Sequence, residues 1–434
     1  MKKVKIALLG LGNVGQGVWH ILKENKEQIM KRSGYEVEVS KVLVRDLGKH
    51  RAVDTPIELL TTNYEEILND EDIKIVVEVM GGVNPAKEYI MKAVKAKKHI
   101  VTANKTLLAT CGNEVFHQAD KMRVNFQYEA SVAGGIPIIN GINESLTANK
   151  INTLYGIVNG TTNYILSKME LEHLNFNDVL KDAQAKGYAE ADPTADVEAY
   201  DAQQKLVILS SLAFGAKISL EDVYREGITK ITAVDIEYAK EFNRVIKLLA
   251  IAKLENGVLE LRVHPTMIPK THPLATVHDS FNAVLINGNA IDDVMFYGRG
   301  AGSLPTGSAV VSDIITILRD NVDSLSTKRV VKDNLWSVQK KDITEIESSY
   351  YIRLSIADKL GILSRITTIF DSNGVSIESV IQKETTQNES KQVSLVLVTY
   401  QTQEQNILNV IQQLQKLEEV QSVDNLIRIE DFTS

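Results

Sequence analysis

Two groups of residues in this 434-residue chain have the types and spacing that chemistry needs. The first ends in Asp201 and Lys205, four apart, so that on a helix they share one face and can meet. They close a segment, residues 187–205, that opens as a loop, with Gly187 and Asp192-Pro193 supplying turn chemistry. Glu190, Asp192 and Asp196 are expected to converge on the same lysine, which is more carboxylate than a solvated surface pair needs. The second group is Gly10-Leu11-Gly12-Asn13-Val14-Gly15. In this pattern the first glycine allows a tight turn, the second lets backbone approach a pyrophosphate, and the third lets a helix pack on its strand.

The glycine pattern is weak alone and gains force from its setting. Residues 4–9 read as a buried parallel strand and 17–23 as a helix, the strand–turn–helix order that dinucleotide binding requires. The helix N-terminus offers N–H groups and a positive dipole end to phosphates. A second strand, 36–44, ends in Arg45-Asp46. An arginine there can pair a ribose 2′-phosphate, so NADP is favoured over NAD, with Asp46 as ribose reader the other possibility. Strands 73–79 and 99–102 flank a helix at 85–96. The fourth strand ends in Ala103-Asn104-Lys105, on a loop beyond the carboxyl ends of the strands, where open α/β sheets gather ligands.

The 187–205 segment, with Ala183 ahead of it, resembles the signature of the homoserine dehydrogenases. Ala183, Gly187, Tyr188, Ala189, Asp192-Pro193, Asp196, Asp201 and Lys205 stand where that family has its pattern. Ala199 stands where the family usually has Gly; alanine is small and helix-compatible, so the site is expected to be undisturbed. Thr102-Ala103-Asn104-Lys105 and Asn159-Gly160-Thr161-Thr162-Asn163 are similar to further family motifs, and the resemblance covers essentially the whole chain. It implies reversible reduction of L-aspartate 4-semialdehyde to L-homoserine, a step of threonine, methionine and isoleucine biosynthesis, with hydride from NADPH. Lys205 would be the acid in reduction and the base in oxidation. Lys105, between nicotinamide and substrate, would hold the carbonyl oxygen and lower the pKa of Lys205. Glu190 and Asp201 would take the substrate ammonium, or Asp201 would orient Lys205. Thr161, Tyr188 and Asp196 would complete the substrate pocket, Thr161 either orienting substrate or capping a helix that begins at Tyr164. Gly187 and Gly302 would lie against the cofactor, with a mobile glycine lid the other reading of the loop that holds Gly302. The resemblance also implies a structural sodium site in the glycine-rich stretch after residue 128, built from Glu129 and the carbonyls of Val132, Gly134 and Ile136; the residues alone read equally as a hinge without an ion.

The expected fold class is α/β. A Rossmann doubly wound parallel sheet comprises residues 1–128 and 306–322, the second part a helix expected over 309–318 that returns after the glycine-rich loop 297–308. A substrate-binding and dimerisation domain with a mixed sheet spans 129–305. In it 152–158, 258–267, 281–287 and 292–297 read as strands and 234–254 as a long amphipathic helix. A sheet face left open there would suit a dimer or tetramer. A linker, 323–348, precedes residues 349–434, whose strand–helix–strand–strand–helix–strand order is ferredoxin-like. The turn 358–363 resembles the ligand-binding loop of ACT domains, which implies an amino-acid effector; beside the homoserine dehydrogenase resemblance it implies feedback by threonine, though nothing in the chain fixes the ligand and a module that only dimerises is the other reading. His264, His272 and His278 read as loop histidines without the spacing of a metal site.

Composition narrows the classes further. Net charge is −8, which argues against a general nucleic-acid surface, and the one cysteine, Cys111, excludes an intrachain disulfide and fits a reducing cytoplasm. No apolar run is long enough to span a bilayer, and residues 1–9 carry no signal-peptide pattern. No kinase-like segment precedes Met1, so a fused aspartokinase is not expected. Two competing readings are an acylating aldehyde dehydrogenase, for which Cys111 has no nearby His partner, and a non-catalytic NADP- and amino-acid-sensing regulator, which would need no lysine–carboxylate constellation.

Overall fold

The computed structural model describes residues 2–320, 322, 337–384 and 392–432. Of the expected linker, residues 323–336 lie outside the described residues. The chain forms two compact units, one from residues 1–160, 201–223 and 281–338, the other from 161–200, 224–280 and 339–434.

The first unit is built on a six-stranded parallel sheet. Its central strand Lys2–Leu9 pairs with Tyr35–Leu43 on one side and Ile73–Glu78 on the other. Leu60–Thr61 extends one edge, and His99–Thr102 and Phe126–Gln127 the other. The near-continuous apolar runs follow from burial on both faces. One face is covered by helix Asn13–Glu24 together with helix Ser303–Arg319, whose Val310, Ile314, Ile317 and Leu318 share a core with Val4, Ile6 and Leu8. The returning helix starts six residues before the expected 309, with Gly302 as its N-cap at φ +125°. Its approach is set by glycines. A Cβ on Gly17 would lie 2.0 Å from the Ser303 carbonyl oxygen, and one on Gly307 would lie 2.7 Å from the Gly17 carbonyl carbon. Three antiparallel strands, Ile151–Ile157, Phe281–Gly288 and Asp292–Arg299, also belong to this unit.

The second unit contains the ferredoxin-like module, with strand order Val420–Ile429, Glu347–Ala357, Gln392–Thr399, Ile377–Glu384. Helices Ile362–Ser372 and Glu404–Leu414 cover a core of Tyr350, Ile352, Leu354, Ile366, Phe370 and Ile407. The module's last strand adds in parallel to Val258–Pro269, at Thr266 opposite Arg428 and Met267 opposite Ile429.

The long helix expected at 234–254 is not one element. Helix Ala233–Glu241, started by a Thr232/Asp235 capping box, stops before Asn243, which takes a left-handed φ of +55°. Strand Arg244–Glu255 follows and pairs antiparallel with Val258–Pro269 along its whole length. Residues 245–252, apolar except for Lys247, are buried throughout, and a fully buried strand shows no alternation to distinguish it from a helix. His264 is likewise not a loop residue. It lies fully buried in strand Val258–Pro269, its imidazole between the Arg262 guanidinium and the Pro265 carbonyl. His272 N-caps a 3-10 turn, its Nδ1 accepting from the Leu274 N–H.

Candidate active site

Four side chains and one carbonyl of the first unit meet at the ends of strands. Helix Tyr200–Phe214 carries Asp201 and Lys205, both buried on one face. Lys205 Nζ donates to Asp201 Oδ2 and to the Val158 carbonyl, each at 2.7 Å. The other carboxylate oxygen, Asp201 Oδ1, receives Lys105 Nζ at 2.8 Å, and Asn159 Nδ2 donates to Oδ2 at 2.8 Å. One carboxylate therefore bridges the two lysines that the sequence singles out. Burial alone would raise the Asp201 carboxyl; the Lys205 and Lys105 ammoniums outweigh it and hold it far below the ordinary range. The pairs differ in access, with the Lys105 side chain 39% exposed and that of Lys205 11%.

Lys105 is not on a loop. It is the first residue of helix Lys105–Met122, whose N-cap Asn104 accepts from the Leu107 N–H. Buried Glu78 ties this corner together. Its carboxylate accepts from the N–H groups of Met80 and Gly81 and from Thr102 Oγ1, so the ends of two adjacent strands are fixed before Lys105 leaves them. Asn104 Nδ2 completes the tie by donating to the Gly82 carbonyl at 2.6 Å. Glu78 carries no sequence signal of its own, because its partner Thr102 lies 24 residues away; Asn159 belongs to a run similar to a family motif, but its partner Asp201, 42 residues away, is not legible there.

The glycine fingerprint is arranged as expected. A Cβ on Gly15 would sit 2.4 Å from the Gly10 carbonyl oxygen, which is the close helix packing, whereas a Cβ on Gly12 would meet nothing within 4 Å, leaving the backbone open to a ligand. No described side chain caps the N-terminus of helix Asn13–Glu24. A cleft of about 480 Å³ lies here, lined by Gly10, Leu11, Gly12, Arg45, Lys49 and Arg51 among others. Arg45 is exposed, and the Asp46 carboxylate accepts from the Gly48 N–H at 2.8 Å. These residues fit a dinucleotide.

The remaining predicted substrate residues belong to the second unit. Helix Gly160–Glu172 begins four residues before the expected Tyr164, so Thr161 is within its first turn and is not its cap. Thr161 Oγ1 donates to the Tyr188 carbonyl at 2.5 Å. Tyr188 stacks at an angle on Tyr164, and Gly187 turns the chain at φ +75°. Asn163 donates to the carbonyls of Val277 and Asp279, and Lys247, whose pKa burial pulls down to about 8, donates to Val277 as well. Asp192 accepts from the Thr194 N–H and hydroxyl, and Glu190 is exposed. Ala199 overturns the reasoning given for it. It adopts a left-handed φ of +63° between helices Thr194–Val197 and Tyr200–Phe214, a conformation that glycine takes freely and alanine does not.

Glu129 is buried, and burial pushes its carboxyl up against the N–H groups of Ile139 and Asn140 that it accepts at 2.8 and 2.7 Å. Ala133 and Gly134 both take positive φ in the loop that follows, and the Ile136 carbonyl accepts from the Ile138 N–H. One carboxylate and several carbonyls fit a hard cation in donor type, since each oxygen keeps a second lone pair. Among the described residues no group of three His, Cys, Asp or Glu could hold a metal.

Residues 137–315 match the family model described as homoserine dehydrogenase, residues 10–129 its NAD binding domain, and residues 350–419 the ACT domain. A homoserine dehydrogenase of Bacillus subtilis is 41% identical over 430 residues, with 99% of each chain covered. The crystal structure of a homoserine dehydrogenase from Thiobacillus denitrificans superposes with a TM-score of 0.93 at 42% identity, covering 100% of this chain and 99% of that one. A hyperthermophilic archaeal homoserine dehydrogenase in complex with NADPH covers 72% of this chain and 97% of its own at a TM-score of 0.62 and 26% identity.

Proposed function

The chain belongs to the homoserine dehydrogenase family, and from that premise we propose how its own residues carry the reaction. It is an oxidoreductase that interconverts L-aspartate 4-semialdehyde and L-homoserine with a nicotinamide cofactor, and neither family nor fold supports a non-catalytic regulator. When bound, the nicotinamide supplies or accepts the hydride. The observation that carries the residue roles is the single carboxylate of Asp201 between Lys105 and Lys205. Two ammoniums on one buried carboxylate leave one positive charge, which an alkoxide forming at the substrate carbonyl offsets. Lys205 gives its proton to that oxygen in reduction and takes it back in oxidation. Asp201, with Asn159 behind it, orients Lys205, and the more exposed Lys105 holds the oxygen. Glu190 takes the substrate ammonium, Thr161 fixes the Tyr188 segment, and Tyr188 and Asp196 complete the pocket, with Gly187 and Gly302 against the cofactor.

We assign NADP as the preferred cofactor. Arg45 lines the cleft together with Lys49 and Arg51, and Asp46 is engaged by backbone. The domains follow the boundaries 1–128 with 306–322, 129–305 and 349–434. Glu129 and the carbonyls of Val132, Gly134 and Ile136 would hold a sodium ion, whose chemistry is structural. Threonine binds the C-terminal module, where Gly361 at φ +81° leads into helix Ile362–Ser372 with no described side chain capping it. The enzyme serves threonine, methionine and isoleucine biosynthesis in the cytoplasm as a homo-oligomer, for which the exposed Met295 and Tyr297 on strand Asp292–Arg299 supply apolar contact area.

The test is oxidation of homoserine followed by absorbance with NADP and with NAD, with and without threonine, for the natural enzyme and for Arg45→Ala. NADP is expected to give the higher kcat/KM, and Arg45→Ala to erode it while sparing NAD. Equal kcat/KM with both cofactors would sink the NADP assignment, and absence of turnover with either would sink the residue roles.

A further inference from the structure

Residues 224–229 of the second unit touch both the C-terminal module and the residues immediately ahead of Asp201. On one side, the buried Arg428 of the module's last strand places Nη1 3.0 Å from Glu226 Oε1 and its guanidinium carbon 5.1 Å from the centre of the Tyr224 ring. The Tyr224 hydroxyl bonds the same Glu226 oxygen. Arg428 is itself fixed by Glu404, a buried carboxylate at the start of helix Glu404–Leu414. On the other side, Arg225 Nη1 donates to the Glu198 carbonyl, and the same guanidinium lies 3.6 Å from the centre of the Tyr200 ring. Thr229 Oγ1 donates to Glu198 Oε1 at 2.9 Å, and the Ile228 N–H to the Val197 carbonyl at 2.8 Å. A Cβ on Gly227 would fall 2.4 Å from the Val197 carbonyl oxygen, so the two backbones lie against each other.

The residues so gripped surround the one strained position of the signature. Ala199, left-handed, sits between Glu198 and Tyr200, and Tyr200 is the first residue of the helix whose second residue is Asp201. A left-handed alanine persists only where its surroundings over-determine it. Arg225 supplies two of those constraints at once, one on each side of Ala199. Guanidinium suits the task because its planar fork can donate to a carbonyl while its face covers a ring.

We propose that Arg225 is a positioning residue for the dehydrogenase reaction, holding the Glu198–Tyr200 kink that sets the start of the catalytic helix, and that Arg428, through Glu226 and Tyr224, ties this grip to the C-terminal module. The module then bears on catalysis through residues 224–229, whatever ligand it takes. This rests on the assignment of Asp201 and Lys205 to proton transfer, so Lys205→Ala is measured alongside.

The experiment compares kcat and KM for Arg225→Met, Arg225→Lys, Arg428→Met and the double variant Arg225→Met/Arg428→Met in the full-length enzyme. Arg225→Met is expected to lower kcat about ten-fold or more with KM for the nicotinamide cofactor unchanged, since small misplacement of reacting groups costs up to about a hundred-fold. Arg225→Lys is expected to recover part of it. The double variant is expected to be no slower than Arg225→Met alone, because both changes act on one path. Should Arg225→Met fail to fold, Tyr200→Leu removes the stacked ring and leaves the carbonyl contact; it is expected to lower kcat in the same direction. Full kcat in Arg225→Met or Tyr200→Leu, with Lys205→Ala inactive, would overturn the positioning role and leave the catalytic assignment standing. Full kcat in Lys205→Ala would instead overturn the assignment beneath it. Additive losses in the double variant would overturn the tie to the C-terminal module.

Discussion

Two of the places where the chain pairs buried cations with carboxylates follow opposite rules. At Asp201, two lysines share one carboxylate, and one of the lysines stays partly exposed. At Arg428, one arginine is shared by two carboxylates, Glu404 and Glu226, and the Arg428 and Glu404 side chains are both 2% exposed. Arg353 follows the second rule, shared by Asp424 and by the fully buried Asp235, which Asn425 and Tyr351 also support. Burial works against the charge of Arg428, and Glu226 and Glu404 more than restore it. Arginine keeps its proton everywhere in a protein, so it suits a joint. Lysine can lose its proton, so it suits a site where a proton must move. On the proposed roles, a surplus of positive charge goes with the place of reaction and a surplus of hydrogen-bonded carboxylate with the place of attachment.

The largest expected effect separates these rules. Lys205→Ala should cut kcat by roughly 10²–10⁴-fold, with NADPH affinity by fluorescence titration unchanged; Lys205→Arg should not rescue it, because guanidinium does not give up its proton. Next, Arg353→Met should destabilise the protein by about 3–5 kcal/mol in denaturant unfolding, the cost of leaving a buried carboxylate unpaired. The pH dependence of that loss has a definite sign. Asp235 is buried, which would raise its pKa, but Arg353 holds it below the ordinary carboxylate value. The stabilisation is therefore present above about pH 4, the unfolded aspartate value, and is lost as pH falls through the lower folded value. In Arg353→Met this decline on acidification should shrink, and an undiminished decline would assign it to other carboxylates. The smallest effect is expected at Ala199→Gly, which relieves a left-handed alanine worth about 1 kcal/mol and should raise the midpoint of unfolding without loss of kcat. A lowered midpoint would show that the 224–229 contacts leave no strain at that position.

What the sequence revealed was local. The glycine fingerprint, the Asp201–Lys205 spacing and the ferredoxin-like order each lie within a short stretch whose pattern has one physical reading. The positions that escaped are those decided by distant partners. Strand Arg244–Glu255 reads as a helix until Val258–Pro269 is placed beside it. Glu78 is a single polar residue whose worth comes from Thr102, and the role of Asn159, though it lies in a motif-like run, comes from Asp201. Ala199 looks helix-compatible because φ is invisible in a residue name. The three cations of the cofactor cleft illustrate a middle case, with Arg45 found from its place after a strand, and Lys49 and Arg51 found only once the following loop folds beside it.

The glycine-mediated seat of helix Ser303–Arg319 on helix Asn13–Glu24 has a consequence for biosynthesis. The ribosome finishes the last strand of the nucleotide sheet near residue 127, yet the piece that completes that sheet's core is not translated until after residue 303. At roughly 5–20 residues per second, the nascent amino-terminal half waits on the order of ten seconds or more with an apolar face uncovered. A fragment ending anywhere in that interval inherits the same exposed face permanently, so truncations meant to isolate the nucleotide module should aggregate unless residues 303–319 are supplied.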